Sequence, residues 1–434
     1  MSQRLSNLLK SLGPGILLAS TCIGVSHLVQ STRAGAVYGF GLLWAVFAAN
    51  LFKYPFFEFG SRYANATGES IIDGYRRTGK WMLWLYFVLT LASMFFVAAA
   101  VGAVTAGFMD NLFGVSALLG SRGIWLTTGI LFSICIVILL AGKYKALDSL
   151  IKIIGTVLLI STVLAVVLTL NKGPATQEPF NWLNTAVLNP GNMGFPFLIA
   201  LMGWMPSAID LSAWNSLWTL ERIKQTGYRP KLSETLFDFN FGYIASAVLG
   251  PCFLILGAFL IYGTDKVMPH GSGDFANAII GLYTETMGEW SYLLIAASAF
   301  SIMFGTCIAI FDGYSRVMER TLKLLNNWPQ AKQDKPGEIL DSNSRTYNVT
   351  LLVIGFGAFA IIYFFGKSLK NLVDLSTTIS FLIAPVIAFV NFKLVSGKLM
   401  PGHAKPPKWL HWLAVAGLVF LTSFAIIFIW WKLP

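Results

Sequence analysis

The chain has 434 residues, of which 56% are hydrophobic before its 40 Gly are counted and only 12% are charged; a soluble globular domain has roughly 45–50% apolar residues with glycine included and about 25% charged. With 34 Phe, 14 Trp and 14 Tyr, this is the composition of a bilayer protein, and it argues against a water-soluble fold. The formal charge of +11 comes from 31 Lys and Arg, which must be placed relative to a membrane before a nucleic-acid partner is invoked.

Runs of about 20 mostly apolar residues mark membrane-crossing helices. They predict an all-α integral membrane protein with about eleven spans, near 13–31, 40–61, 82–108, 123–142, 149–170, 193–218, 238–263, 291–313, 347–366, 373–396 and 409–431. The first run is polar at its centre and leads straight into a second, unlike a removable signal peptide. With the N-terminus placed in the cytoplasm, 23 Lys and Arg fall inside and seven outside, and Lys53 lies within a span. A missed or invented helix would scramble that alternation, so the count supports an N-terminus in the cytoplasm and a C-terminus outside, in a plasma (inner) membrane. The connecting loops are too short to be domains, which leaves residues 1–434 as one transmembrane unit. Cys22, Cys135, Cys252 and Cys307 show no paired spacing, which argues against a disulfide framework or a thiolate zinc site.

Polar and helix-breaking residues inside spans are costly and so point to function. Span 1 reads Gly13-Pro14-Gly15 and then Ser20-Thr21-Cys22-Ile23-Gly24-Val25-Ser26-His27. Span 2 holds Lys53, Pro55 and Glu58. Lys53 and Glu58 are five apart, too far round a helix to pair with each other, so each is expected to find a partner on another helix or to serve coupling or gating. The following stretch Gly74 to Trp81 imitates a phosphate-binding loop but has Trp81 where Ser or Thr is required, and it reads as a basic loop.

Span 6 carries Met202-Gly203-Trp204-Met205-Pro206-Ser207-Ala208-Ile209-Asp210. Gly24 tolerates unwinding and Pro206 lacks a backbone donor, so both are expected helix breaks at similar depth. Two interrupted helices five spans apart suit an inverted-repeat transporter with repeats over 13–170 and 193–396 and an extra span at 409–431; ordinary kinks are the plain alternative. The connections 172–192, 264–289 and 316–345 are read as irregular loops. Asp312 and Arg316, four apart in span 8, suit a helix-face ion pair. Span 10 offers Asp374, Ser376, Thr377, Thr378 and Ser380 before Pro385. Among four His (His27, His270, His403, His411) there is no metal-binding spacing.

From Gly13-Pro14-Gly15 through Ala34-Gly35-Ala36-Val37-Tyr38-Gly39, Leu42-Leu43-Trp44, Ala49-Asn50-Leu51 and Arg62 to Ala66-Thr67-Gly68, the sequence resembles the Nramp family of proton-coupled divalent-metal transporters. Weaker similarity continues through Lys143–Ile154 and span 6. The resemblance implies a LeuT-type fold. The family's metal-binding Asp-Pro-Gly-Asn in span 1 is matched here by Gly24, Val25, Ser26 and His27. Its span-6 Met-Pro-His becomes Met205-Pro206-Ser207, or Ser207-Ala208-Ile209 in ungapped register, and the literal Met268-Pro269-His270 falls in a loop. Its acidic span-3 positions fall in the apolar run Ser93–Ala100.

The expected substrate-binding set is Gly24, Ser26, His27, Trp204, Ser207, Asp210, Thr377 and Thr378, with His27 and Asp210 as the possible metal ligands. His27 suits a metal, a proton or an anion, or packing alone; Asp210 is the carboxylate nearest the span-6 break, or a cap. The expected activity is alternating-access transport of a small ion, and no enzyme activity. A divalent cation with Mg²⁺-like rather than Mn²⁺- or Fe²⁺-like selectivity comes first, because no soft or anionic cage remains. A small anion such as bicarbonate or a carboxylate is the alternative, and a non-transporting sensor the second. The expected partners are the small ion and the lipid bilayer, with no cofactor, no nucleic acid and a monomeric state.

Overall fold

The computed structural model describes residues 10–141, 144–176, 178–188, 194–266, 268–269, 271–326, 345–365 and 368–432. Five of the basic residues counted above, Arg4, Lys143, Lys332, Lys335 and Lys367, lie outside them, as does His270. Among the described residues the secondary structure is helical and no strand is present. Eight helices among the described residues are long and apolar enough to cross a membrane, and Leu159–Lys172 and Gly194–Trp204 are shorter apolar ones.

The spans run in the expected order. Span 1 is Pro14–Tyr38, span 2 Leu43–Thr67, span 3 Lys80–Phe113, span 4 Gly123–Leu140 and span 5 Tyr144–Lys172. Span 6 comes in two pieces, Gly194–Trp204 and Leu211–Thr226. Span 7 is Leu232–Leu260, span 8 Tyr292–Asn326, span 9 Arg345–Phe365, span 10 Leu369–Ser396 and span 11 Lys408–Lys432. Span 2 falls short of the apolar criterion because it carries Asn50, Lys53, Glu58, Arg62 and Asn65, all of them buried. Helices overrun several expected boundaries, since backbone hydrogen bonding continues past the hydrocarbon where charged residues end an apolar run. The connection expected to be irregular at 264–289 contains a helix, Ser272–Met287, an amphipathic segment too short and too polar to register as a span.

The packing repeats itself in inverted form. Span 1 lies on span 7 as the second piece of span 6 lies on span 2; span 5 meets span 8 as span 10 meets span 3; spans 3 and 8 pack on each other. This is the five-plus-five arrangement that interrupted helices five spans apart imply. Close approach depends on glycine: a Cβ on Gly15 would stand 1.9 Å from the Asp238 carbonyl oxygen, and one on Gly242 would stand 1.9 Å from that of Gly15. Val88, Ile134, Ile244, Phe356, Phe389, Val419 and Ile426 are exposed on the outside of the bundle, where a bilayer would cover them.

Connections fall on two sides. On the side where span 1 begins, called here the near side, Asn65 bonds Pro230, Arg62 bonds Ala404, and Arg320 pairs with Asp73. On the far side Asn184 bonds Gly41, Thr176 bonds Tyr262, and Lys266 pairs with Glu285. The structure also brings Cys135 and Cys307 to 3.9 Å as free thiols, a proximity that spacing along the chain could not reveal.

Candidate substrate site

Span 1 loses its helix in mid-course. The first piece, Pro14–Cys22, stops where Ile23 takes ψ 80, and the chain resumes in wider π-type turns over Ser26–Ser31 before Thr32–Tyr38. Gly24 sits at the interruption with Thr306 close by: a Cβ there would lie 3.1 Å from its methyl carbon. The Ser26 hydroxyl is 3.0 Å from the Cys22 carbonyl oxygen and 3.1 Å from that of Pro206, so it stands between the two breaks.

His27 turns away from the break and toward span 7. Its Nε2 is 2.9 Å from the Ser246 carbonyl oxygen, which can only accept, so Nε2 carries a proton. Its Nδ1, 2.7 Å from Ser26 Oγ, accepts from that hydroxyl in the neutral ring. Both nitrogens are committed, and the side chain is fully buried.

Span 6 breaks over 205–210. The half-helix ends at Trp204 and a second begins at Leu211, with Asp210 at its N-cap position. Lys53 reaches across from span 2, and its Nζ donates to the carbonyls of Met202 at 2.6 Å, Gly203 at 2.7 Å and Ser207 at 3.1 Å. Glu58 is not its partner. That carboxylate accepts from Arg62 on its own helix at 2.5 to 3.0 Å, and Arg62 goes on to the Ala404 carbonyl at 2.9 Å. Lys53 thus finds another helix as expected, and Glu58 an arginine four residues on. The Asp312–Arg316 pair forms as its spacing implied, at 2.8 and 2.9 Å.

Between the interruptions lies a small cavity of about 30 Å³. Cys22, Ser26, Trp204, Ser207, Ala208 and Thr306 are among its lining residues. Gly24 and His27 do not line it, though Gly24 lies beside Thr306 and His27 bonds Ser26. Thr377 bonds within its own helix, through its hydroxyl, to Val373 at 2.9 Å, and its carbonyl oxygen is where a Cβ on Gly203 would come within 2.0 Å. Thr378 is half-buried and lines neither this cavity nor the next. Cys22 and Thr306 were not singled out from the sequence. Cys22 lies within the polar stretch that marked the break, and Thr306 has no local signal because span 8 carries it in from far along the chain.

Asp210 faces a separate, smaller chamber of about 10 Å³, with Tyr86, Thr90 and Ser93 of span 3 and Ser380 of span 10. Tyr314 Oη donates to its Oδ2 at 3.4 Å, a long contact. The hydroxyls of Tyr86 and Thr90 are buried there. Among the described residues no three His, Cys, Asp or Glu side chains converge. An ion held between the breaks therefore meets hydroxyls, carbonyls and one thiol, and keeps water to complete its shell.

Residues from opposite repeats meet on both sides of the cavity. On the far side Arg33 grips Asp374 with two hydrogen bonds of 2.7 and 3.0 Å, Gln30 braces both partners, and the guanidinium lies 4.8 Å over the Phe197 ring. Trp204 Nε1 donates to Ser380 Oγ at 2.8 Å beneath them. On the near side Asp238 of span 7 accepts from the backbone N–H of Gly13 at 3.0 Å and Gly15 at 2.6 Å, which caps the start of span 1.

A family model described as natural resistance-associated macrophage protein-like, Nramp, matches residues 15–431. A protein of Pasteurella multocida is 36% identical over 422 residues, covering 96% of this chain and 92% of that one. The divalent metal cation transporter MntH of Levilactobacillus brevis is 23% identical, covering 96% and 88%. Among solved structures, a manganese transporter of Eremococcus coleocola superposes with a TM-score of 0.68 at 16% identity, covering 98% of this chain and 87% of that one. MhsT in complex with L-phenylalanine reaches 0.53 at 12% identity, covering 95% and 98%. These superpositions agree with the LeuT-type arrangement of inverted repeats.

Proposed function

The chain belongs to the Nramp family, and on that premise we propose that it is a multi-pass membrane transporter, not an enzyme, which moves a divalent metal cation across the bilayer by alternating access. The observation that carries this reading is the meeting of two broken helices at a cavity between them, with contacts between the repeats on either side. Gly24 and Pro206 make the breaks; Ser26, Trp204 and Ser207 supply the wall; His27 orients Ser26. The 23-to-7 partition of basic residues supports a cytoplasmic N-terminus and an outer C-terminus, in an inner membrane. One chain holds both breaks and the whole cavity wall, which supports a monomer as the working unit.

The preference for Mg²⁺ expected from the sequence loses its support. It rested on the lack of a soft donor, and Cys22 adds one to the wall, while Asp210 opens on the other chamber. The cation is therefore proposed without that preference. An anion gains nothing either: both nitrogens of His27 and all three protons of Lys53 are taken by the protein.

Uptake of a panel of divalent metals into proteoliposomes, with labelled bicarbonate and carboxylates alongside, tests the reading. Metal accumulation that falls at least about tenfold in a Ser26→Ala, Ser207→Ala double variant at sub-saturating metal is the expected result. Anion accumulation without metal accumulation would overturn it, and no flux of any kind would leave a sensor.

A further inference from the structure

We propose that the span-6 interruption is a binding site for a small monovalent cation and that the Lys53 ammonium is its built-in occupant. In a continuous helix the Met202 carbonyl would accept from the N–H of residue 206, which is a proline and has none. The Gly203 carbonyl would accept from Ser207, which is released because the helix ends at Trp204. Both oxygens are left at the C-terminal, electronegative end of a half-helix, with the Ser207 carbonyl beside them.

Three carbonyl oxygens turned toward one point are the donor set of a hard cation. Lys53 Nζ stands at that point, 2.6, 2.7 and 3.1 Å from them. An ammonium has three protons, and each has one acceptor. The side chain is fully buried, and its partners are main-chain dipoles rather than a carboxylate. Such a residue differs from an ordinary ion-pair partner, because what the site holds is a charge of a given size, and the stem of the lysine only delivers it. A chain that carries its own cation here has no need of a free one from solution at this break.

The test uses the purified full-length chain as Lys53→Ala and Lys53→Met, with unfolding midpoints read without substrate in choline, sodium, potassium, ammonium and methylammonium salts. Because no flux is measured, its failure is separate from failure of the transport reading. The native chain is expected to be indifferent to the choice of cation. Lys53→Ala, which vacates the site, is expected to unfold earlier in choline and to recover saturably, by about 2 °C or more, with one of the small cations. Lys53→Met fills the stem's volume without charge and is expected to stay low in all five salts. The inference fails if Lys53→Ala matches the native chain in choline, responds to no cation beyond the native chain's response, or folds in none of them.

Discussion

Asp238 holds the start of span 1 through two backbone N–H groups, 225 and 223 residues away in sequence. Replacing it with Ala leaves both donors buried without an acceptor, at a cost of about 1–3 kcal/mol each. Asp238→Ala is therefore expected to lower the unfolding midpoint markedly, and Asp238→Asn, which keeps one carbonyl oxygen, to lower it less; equal midpoints for the two would remove the capping role. Asp238 gives no sign of this in the sequence, where it is one acid at the edge of an apolar run. Lys53 and Glu58 did stand out, because ionisable residues inside a span are costly. The partner of Lys53 could not be read, since the carbonyls it meets are orphaned by a proline about 150 residues on, whereas Glu58 meets Arg62 at a local four-residue spacing. His27 and Asp210 were likewise conspicuous as residue types, but which way each side chain faces is decided by neighbouring helices.

The two interruptions were legible as elements because glycine and proline act on their own backbone, a strictly local effect. What surrounds them was not, because helix contacts depend on residues far apart along the chain. Gly203 illustrates the difference: it looks like any small residue in an apolar helix, yet a Cβ there would stand 2.0 Å from the Thr377 carbonyl oxygen. Gly203→Ala must push the half-helix off span 10, and is expected to abolish folded protein as judged by size-exclusion chromatography. Gly281, on the helix between spans 7 and 8, has nothing within 4 Å of its Cβ position. Gly281→Ala should elute like the native chain and be slightly stabilised. A folded Gly203→Ala would mean that spans 6 and 10 are packed less tightly than described.

At the scale of the whole molecule, Cys22 in the wall of the central cavity is only 2% exposed. A bulky, charged thiol reagent should therefore label Cys22 slowly in a Cys135→Ser, Cys252→Ser, Cys307→Ser background. Removing the far-side clasp by Asp374→Ala is expected to raise that labelling rate about tenfold or more, corresponding to about 1.4 kcal/mol shifted toward the open form. An unchanged rate would show that the Arg33–Asp374 pair does not control access. The overall architecture could be read from composition and charge, since apolar runs and alternating basic loops are imposed by the bilayer itself. The contacts on either side of the cavity could not, because each is made by residues from opposite repeats.

The two sets of contacts differ in what must yield. The far one consists of side chains alone, Arg33, Asp374 and Gln30, and rotation about a few single bonds undoes it. The near one grips main chain at Gly13 and Gly15, so undoing it displaces the end of a helix. Opening in one direction is thus a change of rotamer and in the other a bending of backbone. The two half-cycles of such a molecule work against springs of different stiffness, although the repeats that form them share one design.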